Sequence, residues 1–446
     1  MDDANRLWQW WQSLLASFGT VFTRPGWVRF AQWVTGMVLC WEEHTITQIL
    51  VAMGLTDRWR VLEHFAEYGA WNRQAVERQL IRLIEQEQPA RCGRYHPTAV
   101  DDTKLHRTSA EVWGTCTFHE STARSPNRAT TVRAHNWVVM GDLLPGQPWT
   151  YLPHSARLYF RKSQLPVGEK FHKKTQLAVE LLQQVDDESG ASILAIFDGA
   201  YANKTVIGPC LQPSPGRRRI AVLTRLRHDA RLYRPVEQRP GRPGPKPLWG
   251  KRLPAPKDHE RWEGRWKKGR AYIYGRTRCF RYQRLECYWA VSGPKELVHV
   301  YVFKVEGYKE PWYSVTTARD LTPTEVAALF PARFRQENGF REHKQLLGME
   351  ECRAWTKEPV LRTFQVQMVA LTLLRLLQFR LDEHSADAWW EKPDWNRRKS
   401  HPSLLDLRRL MWQHRETIAK LLVQLEDFEK SVPDLPRRRR SGATAA

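Results

Sequence analysis

Four residues in the stretch Phe330 to Lys344, reading FPARFRQENGFREHK, have types and spacing that could serve one site: Phe330, Arg333, Glu337 and Lys344. On an α-helix, at about 100° per residue, they fall within roughly 60° of one another. One carboxylate and two bases would then share a narrow face. Pro331 fits the first turn of such a helix, where a missing N–H costs nothing. On spacing alone the plainer reading is a surface helix with ion pairs four residues apart, Arg333 with Glu337 or Glu337 with Arg341. Two further acids change that. Asp102 closes the short apolar stretch HPTAVDDT, and Asp198 closes ILAIFDG. The second is a continuous apolar run, typical of a strand buried on both faces. Strand-end aspartates commonly begin turns, and Asp198-Gly199 by itself says no more than that. Together, however, two strand-end acids and one helical acid suit a carboxylate cage for Mg2+, a hard ion that prefers anionic oxygen. Phosphodiester chemistry uses two such ions about 3.5–4 Å apart, one activating water or a 3′-hydroxyl and one stabilising the leaving oxygen. No P-loop, GxGxxG, HExxH or serine nucleophile elbow offers a rival chemistry.

The composition agrees with a polyanionic partner. Lys and Arg number 70 against 48 acids, a net charge of +22, which points to nucleic acid more than to any other partner. The 42% hydrophobic content and 21 tryptophans exclude a disordered chain and allow large cores. At 446 residues, two to four domains are expected. The start MDDANRLWQW is acidic and lacks the compact apolar region of a secretory signal. The longest apolar helix, around Val360 to Leu381, is interrupted by Arg362, Gln365, Gln367 and Arg375, so it reads as a core helix and no membrane partner is expected. Seven scattered cysteines without a CxxC suggest reduced thiols in the cytoplasm and argue against structural zinc.

The elements that would position the acids can be followed along the chain. Up to about residue 90 the apolar residues recur at helical spacing, as in Trp33, Met37, Trp41 and in Ile46, Ile49, Leu50, Met53. Arg24 and Arg29 lie between aromatics there, a mixture that suits a small helical domain on DNA phosphates. From Tyr95 the period becomes that of strands: HPTAVDDT, CTFHE, NWVVMGDLL and ARLYFR. Lys170 to Asp187 reads as a helix with Leu177, Leu181, Leu182 and Val185 inward, followed by the Asp198 strand and by RRIAVLTRL. From Arg234 to Lys257 there are seven basic residues, one acid and seven prolines, a solvated basic loop. The pieces RAYIYG, ECYWAVS, LVHVYVFKV and PWYSVTT then form a β-rich segment. Thr322-Pro323-Thr324-Glu325 is a capping box that starts a helix. The final helix spans about Ser403 to Phe428, and the Arg437 to Arg440 run near the end would add non-specific phosphate affinity.

On these residues the chain is similar to bacterial insertion-sequence transposases of the DDE type, in the group with the signature Y-(2)-R-(3)-E-(6)-K. Phe330-x2-Arg333-x3-Glu337-x6-Lys344 fits that spacing at every step, with Phe330 where the family has Tyr. QLLG after Lys344 fits the style of the group. AVDDT resembles the first-acid strand, in which the acid immediately precedes Thr; adjacent strand residues point to opposite faces, so Asp102 is expected in the cage and Asp101 outside it. IFDGAYAN resembles the second-acid motif, and VFTRPGWVRFAQWVTGMV the leader domain of one branch. The resemblance spans roughly residues 20 to 380.

It implies an α/β fold: a ribonuclease H-like mixed sheet with flanking helices, interrupted by a β-rich insertion, plus an N-terminal helical domain. The expected divisions are 1–92 (helical, end-binding), 93–210 and 319–384 (the two parts of the catalytic core), 211–318 (basic insertion) and 385–446 (helical region and tail). Asp102, Asp198 and Glu337 would be catalytic and hold two Mg2+ ions, for which Mn2+ can substitute. Phe330, Arg333, Arg341 and Lys344 would contact DNA. The implied function is cut-and-paste transposition, with double-stranded DNA as partner at the terminal inverted repeats and at the target. The enzyme would work as a homodimer on DNA in a bacterial cytoplasm, associated with the nucleoid. Two rivals are kept: a non-catalytic DNA-binding protein derived from a transposase, and a structural or RNA-binding protein in which the three acids lie apart.

Overall fold

Alternating and continuous apolar runs between Tyr95 and Thr316 build strands, and the helical periods on either side build helices, as a computed structural model of the chain shows. It describes residues 3–120, 130–236, 247–383, 390, 394–397, 399 and 401–430. The expected basic loop falls partly, and the Arg437 to Arg440 run wholly, outside the described residues. The chain divides into two units, Met1–Asn72 with Arg380–Ala446, and Arg73–Phe379.

The first unit begins with helices α1 (Asp3–Ala16), α2 (Arg24–Leu39), α3 (Ile46–Met53) and α4 (Trp59–Tyr68). Thr23 caps α2 by accepting the Gly26 N–H, and Pro25 occupies the first turn, where it removes no needed donor. Gly36 lets α2 meet α3 closely: a Cβ there would lie 2.5 Å from Ile49 Cγ2. Phe22, Phe30, Trp33 and Phe65 surround Trp71 at ring separations of 5.2–5.9 Å. The aromatics that flank Arg24 and Arg29, Phe22 and Phe30, are therefore core.

The second unit opens with α5 (Arg73–Glu87), so the expected boundary at residue 92 falls inside it. There follow β1 (Tyr95–His106), β2 (Cys116–His119), β3 (Thr131–Leu144), β4 (Thr150–Tyr159), α6 (Lys174–Glu188), β5 (Ser192–Phe197), α7 (Lys204–Leu211) and β6 (Ala221–Arg225). Next come β7 (Leu232–Tyr233), β8 (Lys267–Ile273), β9 (Arg276–Trp289), β10 (Leu297–Val305) and β11 (Trp312–Thr316). Helices α8 (Pro323–Ala332), α9 (Phe334–Leu346) and α10 (Lys357–Glu383) close the unit. The chain then returns to the first unit with α11 (Leu404–Gln413) and α12 (Arg415–Lys430). The N-terminal and C-terminal helices, expected as separate regions, thus share a unit. α10 is long and apolar enough to cross a membrane, but 94% of its apolar window is buried inside the protein, as expected of a core helix.

One mixed sheet runs through the second unit in the order β2-β3-β1-β5-β6-β11-β10-β9-β7, with β4 also on β3 and β8 also on β9. β4, β3 and β1 are antiparallel; β1, β5 and β6 are parallel. That order is the ribonuclease H-like arrangement. The β-rich insertion does not form a separate sheet. It continues this one, because β11 pairs antiparallel with β6. Alternation then divides the core in two. Ala99, Leu194, Ile196 and Leu223 share one face with Val326, Ala327 and Leu329 of α8. Val100, Ile193, Ala195 and Val222 share the other with Leu177, Leu181, Leu182 and Val185 of α6.

Candidate active site

β1 does not stop at its acids. It pairs with β3 as far as His106, but its parallel pairing with β5 ends at Ala99 opposite Ile196. Two residues on, that register sets Asp101 opposite Asp198. With period two, both stand on the face of Ala99 and Ile196, which is the face that α8 covers. Asp102 stands on the opposite face. There its Oδ2 accepts from Lys174 Nζ at the start of α6 at 2.6 Å, and its Oδ1 accepts from the Tyr201 hydroxyl at 3.1 Å. The register thus sets Asp101, and not the expected Asp102, on the face of Asp198, where Arg333 links it to Glu337.

The capping box at Thr322 starts α8 as expected, with Thr322 Oγ1 accepting from Glu325 N and Glu325 bonding back to Thr322 N. The stretch from Phe330 to Lys344 is not one helix. Pro331 lies near the end of α8, not in a first turn, and the chain breaks at Arg333 before α9 begins. A proline inside a helix removes one backbone donor and crowds the preceding turn, which accounts for the break. Phe330 thus belongs to α8, and its ring packs edge-on to Trp312 at 6.3 Å. α9 is anchored by its buried side. Gln336 Nε2 donates to Val139 O and Tyr151 Oη, both at 3.0 Å. Gly339 lies so close to Tyr151 that a Cβ would meet its ring at 2.7 Å. Arg333 and Glu337 are left towards the acids.

Arg333 links the site together. Its Nη1 donates to Asp101 Oδ2 at 2.8 Å and its Nη2 to Glu337 Oε1 at 2.9 Å. Burial pushes the Asp101 carboxyl up to about 6 even though Arg333 pulls it down, and neighbouring Asp198 and Asp102 add to the rise. Lys344 Nζ donates to Lys104 O at 2.8 Å and pairs with Glu350 at 3.0 Å. Arg341 is exposed and donates to Asn338 Oδ1 at 3.1 Å, not to Glu337.

Two residues passed over in the sequence lie here. Arg225 ends β6, and the Ile196–Leu223 register places it beside Asp198 on the acids' face. One of four arginines in RRRIAVLTR, it carries no distinguishing local signal. Tyr274 and Gly275 form the two-residue turn between β8 and β9, with φ of 47° and 87°. Positive φ at both positions is a type I′ turn, and Tyr in the first is uncommon. The Tyr274 ring packs edge-on to Phe334 at 5.8 Å. Burial raises its hydroxyl pKa, and the charges of Arg333, Glu337 and Arg225 all act on it. Trp149, Tyr272 and Arg335 join it around a cavity of about 190 Å³.

The donor set suits a hard divalent cation. Asp101, Asp198 and Glu337 offer only carboxylate oxygen, and the half-buried Asp101 is uncomfortable without a cation beside it. The Arg333 guanidinium supplies that charge between Asp101 and Glu337. Among the described residues no three His, Cys, Asp or Glu side chains converge as a ready-made metal site.

Residues 17–271 match the model of a protein family described as DDE superfamily endonuclease. The match takes in β1 and β5 with Asp101, Asp102 and Asp198, and ends before α9. A comparison with curated proteins gives no match.

Proposed function

The chain belongs to the DDE superfamily of endonucleases, and from that premise we propose that it is the transposase of an insertion sequence. It would cut DNA at the element's ends and join the 3′-hydroxyl to target DNA. The observation that carries this reading is the convergence of Asp101, Asp198 and the Arg333–Glu337 pair on one sheet face. We assign the metal-holding role to Asp101, Asp198 and Glu337, in place of the set with Asp102. When bound, Mg2+ or Mn2+ would supply positive charge for the leaving oxygen and a nucleophilic oxygen at neutral pH.

The chain's own residues do the rest. Arg333, Arg225 and Lys344 present cations to the scissile backbone, in a field already set by a net charge of +22. A phosphate that draws Arg333 to itself releases two carboxylates at once, so the site becomes able to hold metal as DNA arrives. Asp102, through Lys174 and Tyr201, holds the turn after Asp198 against β1. Arg341, exposed on α9, adds phosphate affinity. Phe330 acts by packing alone, since it lacks a hydroxyl and is turned to Trp312. The helical unit would bind the terminal repeats, a homodimer would join two ends, and the work would take place at the nucleoid in the cytoplasm.

A second reading has one observation in its favour. Glu337 is ion-paired, and no ready-made acidic triad is present among the described residues. A DNA-binding derivative without catalysis would keep that closed arrangement. Cleavage of duplexes that carry the inverted repeats flanking the gene separates the two. Wild type should cut in Mg2+, and Glu337→Gln should bind the same ends while cutting on the order of 10³-fold more slowly or not at all. Wild-type cleavage that Glu337→Gln leaves intact would sink the assignment.

A further inference from the structure

The outer part of the sheet carries a row of like charges that the cleavage chemistry does not use. Register sets Lys268 of β8 opposite Arg281 of β9, and Arg281 opposite Lys304 of β10. Residues paired across strands point to the same face, with about 4.8 Å between strands, so three cations stand side by side over about 10 Å. Which face they occupy follows from β10. Lys304 shares its side of the strand with Val302 and Val300, which pack in the α6 core, whereas Tyr301 and Phe303 belong to the α8 core. The row therefore lies on the sheet face opposite Asp101 and Asp198.

Like charges directly opposite across strands disfavour the pairing. Here the arrangement is not relieved by acids: among the described residues no carboxylate forms an ion pair with Lys268, Arg281 or Lys304. What lies beneath is Trp266, with Lys304 Nζ 4.9 Å and the Arg281 guanidinium carbon 5.9 Å from its ring centroid. The ring fixes two of the cations in place and leaves their charge outward. Together with Arg270 and Lys309 the three line a shallow depression of about 870 Å³, whose acids are Glu306 and Glu310.

A flat row of fixed cations fits a regular polyanion. Duplex DNA presents one charge per about 1.7 Å of its axis, so one turn of backbone can reach all three bases. The tryptophan is covered by the cations and not presented as an apolar anchor, which disfavours a membrane. We infer that Lys268, Arg281 and Lys304 form a second, sequence-independent strip for duplex DNA. It holds backbone outside the segment being cut. The inference rests on the reading of the chain as a DNA-cutting enzyme but not on the acids.

The test uses the full chain and a random 60-base-pair duplex, without divalent metal, over roughly 50–200 mM salt. The variant Lys268→Ala/Arg281→Ala/Lys304→Ala should lower the slope of log affinity against log salt by about 2–3, at about 0.9 per lost contact. Its Mg2+-dependent cleavage of short end duplexes should stay within about twofold of wild type. An unchanged slope overturns the strip. So does an equal fall when the exposed Lys162, Lys170 and Lys420 are replaced by Ala, which would show a general charge effect. Competition by polyglutamate with none by the random duplex also overturns it, in favour of an acidic protein. If the triple variant does not fold, the exposed single change Lys268→Glu carries the same test, with a slope change of about 1. A slope that falls in the triple variant, beside a wild type that never cuts, would uphold the strip and defeat the catalytic reading; the reverse result would do the opposite.

Discussion

Asp101→Asn is expected to abolish metal-dependent cleavage, while its neighbour Asp102→Asn keeps most of it. The two residues differ by one step along β1, and one step moves a side chain from one face of the sheet to the other. Asp101 faces Arg333 and, through it, Glu337. Asp102 faces Lys174 and Tyr201 on the α6 side. Loss of the first carboxylate removes a metal ligand, and a fall on the order of 10³-fold or more is expected, with Asp198→Asn matching it. Loss of the second leaves Lys174 and the Tyr201 hydroxyl without an anionic acceptor. That should cost about 1–3 kcal/mol of stability and loosen the turn after Asp198. Calorimetric titration of Mn2+ into the enzyme–DNA complex should therefore fail for Asp101→Asn and remain, weakened, for Asp102→Asn. A dead Asp102→Asn with normal melting, beside an active Asp101→Asn, would place the catalytic face on the α6 side and defeat the geometry argued above.

That ambiguity shows where the sequence stops. The buried run before Asp198, the inward leucines of α6 and the capping box at Thr322 are local patterns, and each forms the element its pattern predicts. A pair of adjacent aspartates has no such pattern. Which one enters the site depends on the β1–β5 register and on the side where α8 and α9 dock, both settled by contacts far apart in the chain. Arg225 was invisible for the same reason: alternation gives its period but not its face. The union of insertion and core rests on Leu223 pairing with Thr316, again non-local. Phe330 is a different case. Pro331 could equally begin a helix or end one, and the capping box that opens nine residues upstream at Thr322 makes it the end. The spacing that put Phe330, Arg333, Glu337 and Lys344 on one face is thus preserved only for Arg333 onward.

The largest effect on stability is expected from Asp142→Ala, which should cost about 3–5 kcal/mol by leaving buried partners uncompensated. Asp142 is fully buried on β3. His96 Nε2 lies 2.7 Å from its Oδ1 and His154 Nε2 lies 3.3 Å from the same atom. On its other side His96 Nδ1 meets Ser189 Oγ at 2.9 Å and Glu85 at 3.5 Å, and Glu85 also pairs with Arg91. Burial alone would lower the His96 pKa, but Asp142 and Glu85 together raise it to about 9. Burial would likewise raise both acids. Instead the histidines hold Asp142 well below the carboxylate range, and His96 with Arg91 brings Glu85 to about 2. The signs follow. The His96 contribution is fully present below its unfolded value of about 6.5 and is lost as pH rises towards about 9. Those of Asp142 and Glu85 are present above about 4.5 and are lost as pH falls through their folded values. The contribution of this cluster should therefore peak between roughly pH 4.5 and 6.5, and its alkaline decline should amount to on the order of 3 kcal/mol. Thermal melts at fixed ionic strength from pH 5 to 10 test this. Wild type should lose stability steadily between about pH 6.5 and 9, and Asp142→Ala, already less stable, should show a much flatter limb. Parallel curves for the two proteins would mean that His96 carries no extra proton in the fold.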